Sequence, residues 1–480
     1  MDRRTFLKNL AALSVTASLS CRSLKKTTTP NVVLIVVDDL GWKDLGCYGS
    51  TFYETPNIGE LAAGGMRFTN AYSSCPVCSP TRAALLTGKS PAKLNFTGHI
   101  TAIGRHRHPE HSRIIPPDDR MYVPLEEVMI SEALKPAGYA TISIGKWHVG
   151  NEEKYYPTQQ GFDTNVAGYM HGSPPGYFYP YKDPDKDWNP EIPTLEGGEE
   201  GEYLTDRLTD EAINFVDENK SGPFFLYLPY YAVHTPLQAP QDLVQKYEKK
   251  LESDSSQKNA IYGAMVERMD YNVGRLLDKI KQNGLRENTL VILVSDNGGL
   301  STVTNNQPLR NGKGYLYEGG IRVPLIINWP GYIKSGSESD TPTISHDLYP
   351  TITDIVSGSQ PGEGIEGKSL MPVLTGTGKM PDRELYWYYP HYSPQAKQPA
   401  AAVRDGRYKL IHFYDPLKTE LYDLSTDLGE QNDLAKEMPE KRDELMQKLQ
   451  NWLERSGAVM HTLNPNYIRH TDDEMSDGVP

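Results

Sequence analysis

The chain alternates between short uninterrupted apolar runs and longer amphipathic stretches. Asn31–Val37 (NVVLIVV), Ala140–Ile144 (ATISI), Phe224–Pro229 (FFLYLP) and Thr289–Ser295 (TLVILVS) are apolar runs, mostly rich in β-branched side chains. Such runs predict strands buried on both faces, as in a parallel sheet, and Val323–Trp329 reads as a further strand. Between them the period changes. Leu204, Leu208, Ala212, Phe215 and Val216 form one stripe of a helix over Leu204–Glu218. Helices are also predicted over Thr55–Gly65, Ser131–Ala137 (closed by Gly138), Ile261–Asn283 (closed by Gly284) and Ser345–Ile355. Near Gly376 the character shifts: Glu384–Tyr389, Ala401–Val403 and Tyr408–Phe413 alternate as antiparallel strands do, Glu420–Leu424 adds another, and Arg442–Arg455 reads as a closing helix. The pattern predicts one large domain over 31–375 and a small α+β domain over 376–480.

At 480 residues the chain is long enough for a large core. A mean hydropathy of −0.55 describes a soluble protein, and 30 tyrosines with 36 prolines fit a loop-rich exported enzyme. The formal charge of −13 argues against nucleic-acid partners. It also means that any site for an anion must gather its own cations. Residues 1–30 read as a targeting segment and tether. Arg3-Arg4-Thr5-Phe6-Leu7-Lys8 resembles a twin-arginine signal, and the apolar run Leu10–Leu19 is too short to span a bilayer. Cys21 loosely matches a lipoprotein cleavage site, although Ser18 stands where leucine is usual. Lipidation there, against ordinary cleavage, is the one membrane contact the sequence allows. Export to a periplasmic, extracellular or cell-surface location is the expectation. Only Cys47, Cys75 and Cys78 lie beyond this segment, too few for a disulfide framework, and Cys47 reads as a small packed residue.

Chemistry-bearing residues cluster after the predicted strands. Asp38 and Asp39 follow the first, where ligands bind in open α/β sheets, and adjacent carboxylates there are costly without a cation; the alternative is a helix cap plus an exposed acid. Asp296 and Asn297 follow another strand. The four together are an oxygen-only set, favouring calcium or magnesium over zinc. Lys146 and His148 follow Ala140–Ile144, and His234 follows Phe224–Pro229, with Pro236 restraining Thr235. Glycine-flanked Lys313 can reach into a site, with Glu318 and Arg322 buttressing its loop. Cys75–Lys89 (CPVCSPTRAALLTGK) reads as a loop entering a helix, with Ser79 as cap and Pro80 at the first helical position. Cys78 then sits where a helix N-terminus attracts anions, and Arg82 one turn on can hold an oxyanion. Cys75 and Cys78 are also spaced as a redox pair, half a zinc site or a disulfide. Gly98–Asp119 is rich in His and Arg and reads as a solvated basic loop rather than a zinc cluster. Its Arg105 and His106, and His171 in the Gly/Tyr-rich stretch after Gly161, are candidate substrate contacts. Pro184–Glu202 reads as a polar surface insertion.

Cys78–Gly88, CSPTRAALLTG, resembles the signature of type I sulfatases of the alkaline-phosphatase superfamily, notably bacterial glycan sulfatases. Gly145-Lys146-Trp147-His148 matches the second signature, and the Asp38-Asp39, His234 and Asp296-Asn297 motifs follow in the family's order. The resemblance runs from about Asn31 to Gly457. It implies an α/β fold, a large mixed, mostly parallel sheet sandwiched by helices, with a smaller C-terminal α+β domain carrying an antiparallel sheet. It implies oxidation of Cys78 to formylglycine by a maturation enzyme. It also implies one Ca2+ ion held by Asp38, Asp39, Asp296, Asn297 and residue 78. Lys146 and Lys313 would clamp sulfate, and His148 would help turn over the sulfated intermediate. His234 is the expected acid for the leaving sugar oxygen, since imidazole titrates near neutral pH. The activity implied is sulfuric ester hydrolysis (EC 3.1.6.-) on a sulfated polysaccharide or its oligosaccharides, with a texture resembling enzymes for galacto-configured sugars. The alternatives are a phosphomonoester or phosphodiester hydrolase of the same superfamily, and a non-catalytic sulfated-glycan-binding relative.

Overall fold

The computed structural model describes residues 29–100, 108–183, 185, 187–357, 362 and 364–468. The twin-arginine-like stretch, Cys21, Arg105 and His106 lie outside the described residues.

An eight-stranded sheet organises the molecule. Its strands are β1 (Asn31–Val37), β2 (Met66–Phe68), β3 (Ala140–Ile144), β4 (Thr164–Val166), β5 (Phe224–Pro229), β6 (Thr289–Ser295), β7 (Leu325–Asn328) and β8 (Ser337–Ser339). The order is β8-β2-β7-β6-β1-β5-β3-β4. Every neighbouring pair is parallel except the two made by β7, which runs against both β2 and β6. β1 sits centrally, pairing with β5 on one side and β6 on the other. Its side chains alternate between two cores, as a pleated strand buried on both faces requires. Val33, Ile35 and Val37 pack with Leu204, Leu208 and Ala212 of helix α3 (Leu204–Glu218) and Met265 and Met269 of α5 (Ala260–Gln282). Val32, Leu34 and Val36 pack on the other face, with Leu85 and Leu86 of α2 (Cys78–Thr87) and Leu348 and Ile352 of α6 (Leu348–Ser357). Helices α1 (Pro56–Ala63) and α4 (Gln241–Ser253) pack on the first face, through Ile58 and Leu61 and through Val244 and Tyr247.

A second sheet follows, four antiparallel strands in sequence order: β9 (Glu384–Tyr389), β10 (Ala400–Asp405), β11 (Tyr408–Tyr414) and β12 (Leu417–Asp423). One face carries Trp387, Ala402 and Ile411 against Tyr72, Val77 and Ile321, beside the α2 entrance. The other carries Ala401, Val403 and Leu410 against Leu445, Leu449 and Leu453 of α7 (Pro439–Ser456). Among the described residues no helix is long and apolar enough to cross a membrane.

Several expectations need correction. Cys78 is itself the first residue of α2 and Val77 is the N-cap, with no side-chain cap. The Ser79 hydroxyl instead accepts the amide of Ile100 at 3.1 Å, so Ser79 and Pro80 lie inside the first turn. The strand expected over Val323–Trp329 is confined to Leu325–Asn328. The loop Gly98–Asp119 contributes a two-residue strand, Ile114–Ile115, paired with Thr462–Leu463. Cys47 is half-buried at the edge of the first core.

Candidate active site

Parallel strands deliver their carboxyl ends to one edge of the sheet. The register of β1 on β6 sets Val37 against Ser295, so Asp38-Asp39 and Asp296-Asn297 emerge side by side. Lys146 and His148 leave β3, and His234 leaves β5, at the same edge. Backbone hydrogen bonds lock these turns together: Lys146 N to Pro229 O (2.7 Å), Asp38 N to Ala232 O (3.0 Å) and Val233 N to Asp38 O (2.8 Å). Asp39 (φ 60°) and His148 (φ 59°) are both in the left-handed region, a strained placement for non-glycine residues that gathers at functional sites. Gly298 is required by close approach, since a Cβ there would lie 1.9 Å from the carbonyl oxygen of Gly319.

The charges interlock. Asp38 accepts Lys146 Nζ at 2.7 Å and faces Cys78 Sγ at 3.4 Å. Asp39 accepts Lys313 Nζ at 2.8 Å and lies 3.6 Å from His234 Nε2. Arg82 donates from Nε to Asp296 at 2.8 Å and from Nη1 to the carbonyl of Lys146 at 2.8 Å. Asp38, Asp296 and Arg82 are fully buried, and Asp39, Cys78 and Lys313 nearly so. Three carboxylates therefore meet three cations in a chain whose overall charge is strongly negative. Burial pushes the Asp38 carboxyl up to about 7 despite Lys146 beside it. Burial opposes ionisation of Asp39 and Asp296 as well, yet Lys313 and Arg82 hold them below the usual carboxylate range. Burial pushes the Cys78 thiol up to about 12, so as an unmodified thiol it is a poor nucleophile.

The histidines have defined tautomers. His148 Nε2 lies 3.0 Å from the carbonyl of Ile100 and so carries the hydrogen, leaving a buried Nδ1 with no partner among the described residues. Burial and then Lys146 drive its pKa well below the ordinary imidazole value, so it is a neutral acceptor. Gly172 packs on this ring, and a Cβ there would fall 2.4 Å from His148 Cε1. His234 donates Nδ1–H to the carbonyl of Thr235 at 2.8 Å, leaving Nε2 toward Asp39, and burial and then Lys313 lower it to about 3.

The residues fit a hard divalent cation. Donor atoms of Asp38, Asp39, Cys78 and His234 lie within 4.8 Å of one another. Asn297 Nδ2 gives its hydrogens to Asp39 Oδ1 (2.8 Å) and the carbonyl of Gly298 (3.0 Å), while the buried Oδ1 accepts nothing among the described residues. An orphaned buried acceptor costs about 1–3 kcal/mol; a cation would satisfy it. Asp296 turns one oxygen to Arg82 and the other to the amide of Asp39 (3.2 Å).

Cys78, His148, His234 and Lys313 line one cavity of about 240 Å³, with His171 on its wall. Glu318 and Arg322 buttress the Lys313 loop through a 2.7 Å ion pair. Cys75 and Cys78 form no disulfide; the Cys75 thiol faces the carbonyl of Thr97. The sequence reading missed Trp188 and Gln395, which also line the cavity. The insertion Pro184–Glu202 is thus partly a cavity wall, although Trp188 itself, an exposed-type aromatic in a polar stretch, was the available signal.

A buried side chain opening a helix, ringed by cations and beside an acid-rich strand edge, suits the binding of an anion next to a divalent ion. A model of the sulfatase family matches residues 30–359, and one described as "N-sulphoglucosamine sulphohydrolase, C-terminal" matches 311–458. A sulfatase of Formosa agariphila is 34% identical, over 94% of this chain and 93% of its own. The N-acetylgalactosamine-6-sulfatase of Canis lupus familiaris is 34% identical over 80% of this chain and 72% of its own. Among solved structures, Ps i-CgsB in complex with k-i-k-neocarrahexaose superposes with a TM-score of 0.75 at 30% identity, covering 94% of this chain and 97% of that one. The chain belongs to the sulfatase family, within the alkaline-phosphatase superfamily. Its activity is that of a sulfatase (EC 3.1.6.-), the hydrolysis of sulfate esters.

Proposed function

We propose that the enzyme removes sulfate from a sulfated polysaccharide or its oligosaccharides after Cys78 is oxidised to formylglycine, and that the sugar is galacto-configured. The carrying observation is the position of residue 78, at a helix N-terminus, 3.4 Å from Asp38 and in one cavity with Lys313, His148 and His234. An aldehyde hydrate at 78 presents a hydroxyl to sulfur, and the helix N-terminus favours negative charge there. Lys146 and Lys313 hold the sulfate oxygens, and Arg82 fixes Asp296 while adding positive charge beneath the site. His148, neutral with a bare Nδ1, takes the proton of the second hydroxyl as the aldehyde C=O re-forms and the carbon–oxygen bond to sulfate breaks; sulfate departs and water rehydrates the aldehyde. His234 serves as the acid once its Nε2 is protonated, a state that Asp39 and the negative charge of bound sulfate favour against burial and Lys313, and it then hands that proton to the departing sugar oxygen.

Asp38, Asp39, Asp296 and Asn297 would hold one Ca2+ ion, which supplies Lewis-acid polarisation of a sulfate oxygen and lowers the pKa of the hydrate. Support for the substrate class comes from the relatives: one is named N-acetylgalactosamine-6-sulfatase, and another was solved in complex with k-i-k-neocarrahexaose. The test is release of inorganic sulfate from a panel of defined sulfated oligosaccharides, carrageenan- and galactosamine-derived members included. Wild type should release sulfate from at least one member and Cys78→Ala from none; equal release by both would refute the reading.

A further inference from the structure

We infer that Trp188 is the stacking platform for the sugar ring that carries the sulfate, an inference that rests on the glycan-sulfatase reading. The chain has six tryptophans. Trp147, Trp329, Trp387 and Trp452 are buried and Trp42 packs against the first core, whereas Trp188 is 52% exposed. It nevertheless lines the same cavity as Cys78, His234 and Lys313. Exposure alone is ordinary, as for the other exposed large side chains; what sets Trp188 apart is a large amphipathic ring on the wall of the cavity that holds residue 78.

The residue is held in place. Its ring meets that of His171 edge to face, with centroids 5.5 Å apart, and His171 leans likewise on Tyr169 at 5.3 Å. The next residue, Asn189, is fully buried; its Nδ2 donates to the carbonyl of Ser173 (2.9 Å) and its Oδ1 accepts the Tyr169 hydroxyl (2.8 Å). An edge-to-face contact leaves an indole face free. A pyranose has the matching shape, an apolar C–H face with hydroxyls around its rim. The cavity of about 240 Å³ lies below the roughly 300 Å³ at which drug-sized ligand sites begin. It suits one sulfated ring rather than a length of chain. Gln395 enters the same cavity, and its Oε1 is buried with no partner among the described residues, an acceptor for one ring hydroxyl. With sulfate drawn to Lys313 beside Cys78, the ring that bears it extends toward the mouth and onto the indole.

The test combines kinetics with fluorescence, using the panel member that wild type hydrolyses fastest. Trp188→Ala should raise KM about tenfold with kcat within about twofold, and Trp188→Phe should fall between, since loss of a stacked aromatic contact removes binding shared by ground and transition states. In the Cys78→Ala background the same saccharide should change the tryptophan emission, and Trp188→Phe should abolish that change. An unchanged KM, or a fall in kcat at constant KM, would overturn the inference, as would an emission change that survives Trp188→Phe. If wild type hydrolyses 4-nitrophenyl sulfate but no saccharide, the glycan reading fails and the inference with it. If wild type hydrolyses the saccharide and Trp188→Ala matches it, only the inference fails.

Discussion

Replacing Lys409 by methionine should destabilise the whole enzyme in a pH-dependent way. Lys409, on β11, is fully buried and donates to Glu318 at 2.9 Å and to Glu430 at 2.8 Å. Glu430 in turn accepts the amide of Glu318 at 2.6 Å, and its carbonyl accepts Arg310 at 2.8 Å. The turn that begins at Glu318 receives the Gly298 amide through the carbonyl of Gly320 at 2.9 Å, one residue from Asn297. The four-stranded sheet is thereby tied to the back of the active site. After the substitution Glu318 keeps Arg322, but Glu430 loses its cation. Removing one partner of a buried pair costs about 3–5 kcal/mol. Burial already pushes the Glu430 carboxyl up to about 7 with Lys409 present. Without Lys409 the folded value rises further above the unfolded one, so the native state binds the extra proton and stability falls as pH rises. The loss should therefore be larger at pH 8 than at pH 5.5. Urea unfolding at both pH values, read as midpoint and m value, measures it. Adding Glu430→Gln removes the stranded charge and should restore more than half of the loss at pH 8. A Lys409→Met protein indistinguishable from wild type at both pH values, or a double variant weaker than the single one, would refute the reasoning.

Gly172→Ala should lower kcat by at least about tenfold with little change in melting temperature, because the new Cβ displaces the His148 ring; steady-state kinetics against wild type check this. Treatment with a chelator should abolish sulfate release and lower the melting temperature, and Ca2+ should restore both better than Zn2+ if the ion is held by the oxygens of Asp38, Asp39, Asp296 and Asn297 rather than by the nearby His234. Burial holds His412 and His461 down to about 4, below the unfolded imidazole. The unfolded chain thus binds more protons between about pH 6.5 and 4, so their contribution is complete above that window and lost as pH falls through it. Replacing both with glutamine should flatten the stability–pH curve there, measured by urea unfolding.

How legible the molecule is from its sequence depends on how much apolar surface each element buries. β1, β5 and β6 are buried on both faces, so their sequences are unbroken apolar runs and the strand ends mark the site directly. α4 does carry a stripe, Leu243, Val244, Tyr247 and Leu251, but only Val244 and Tyr247 are fully buried, and the helix was not predicted although its spacing shows it. The direction of β7 is set by its neighbours, and a four-residue apolar run says nothing about orientation. The helix start at Cys78 was misplaced because Ser79 has a tertiary partner, the Ile100 amide, that local capping rules do not see. The acids and Lys146 of the candidate site were legible as motifs after strands, Arg82 as part of the Cys78–Gly88 motif inside a helix, and Lys313 from its flanking glycines. The tautomers of His148 and His234 were not: one is fixed by the distant carbonyl of Ile100, the other by the local turn that sets the next residue's carbonyl, that of Thr235, against the ring.

Sulfate-ester hydrolysis at this site depends on residue 78 acting as an aldehyde among the cations around it. The most direct test is the mass of the proteolytic peptide containing position 78, from protein made with the maturation enzyme and assayed for sulfate release in the same preparation. Conversion should leave that peptide about 18 Da lighter than the cysteine form, with activity proportional to the converted fraction. Full activity in protein whose peptide retains the cysteine mass would contradict it.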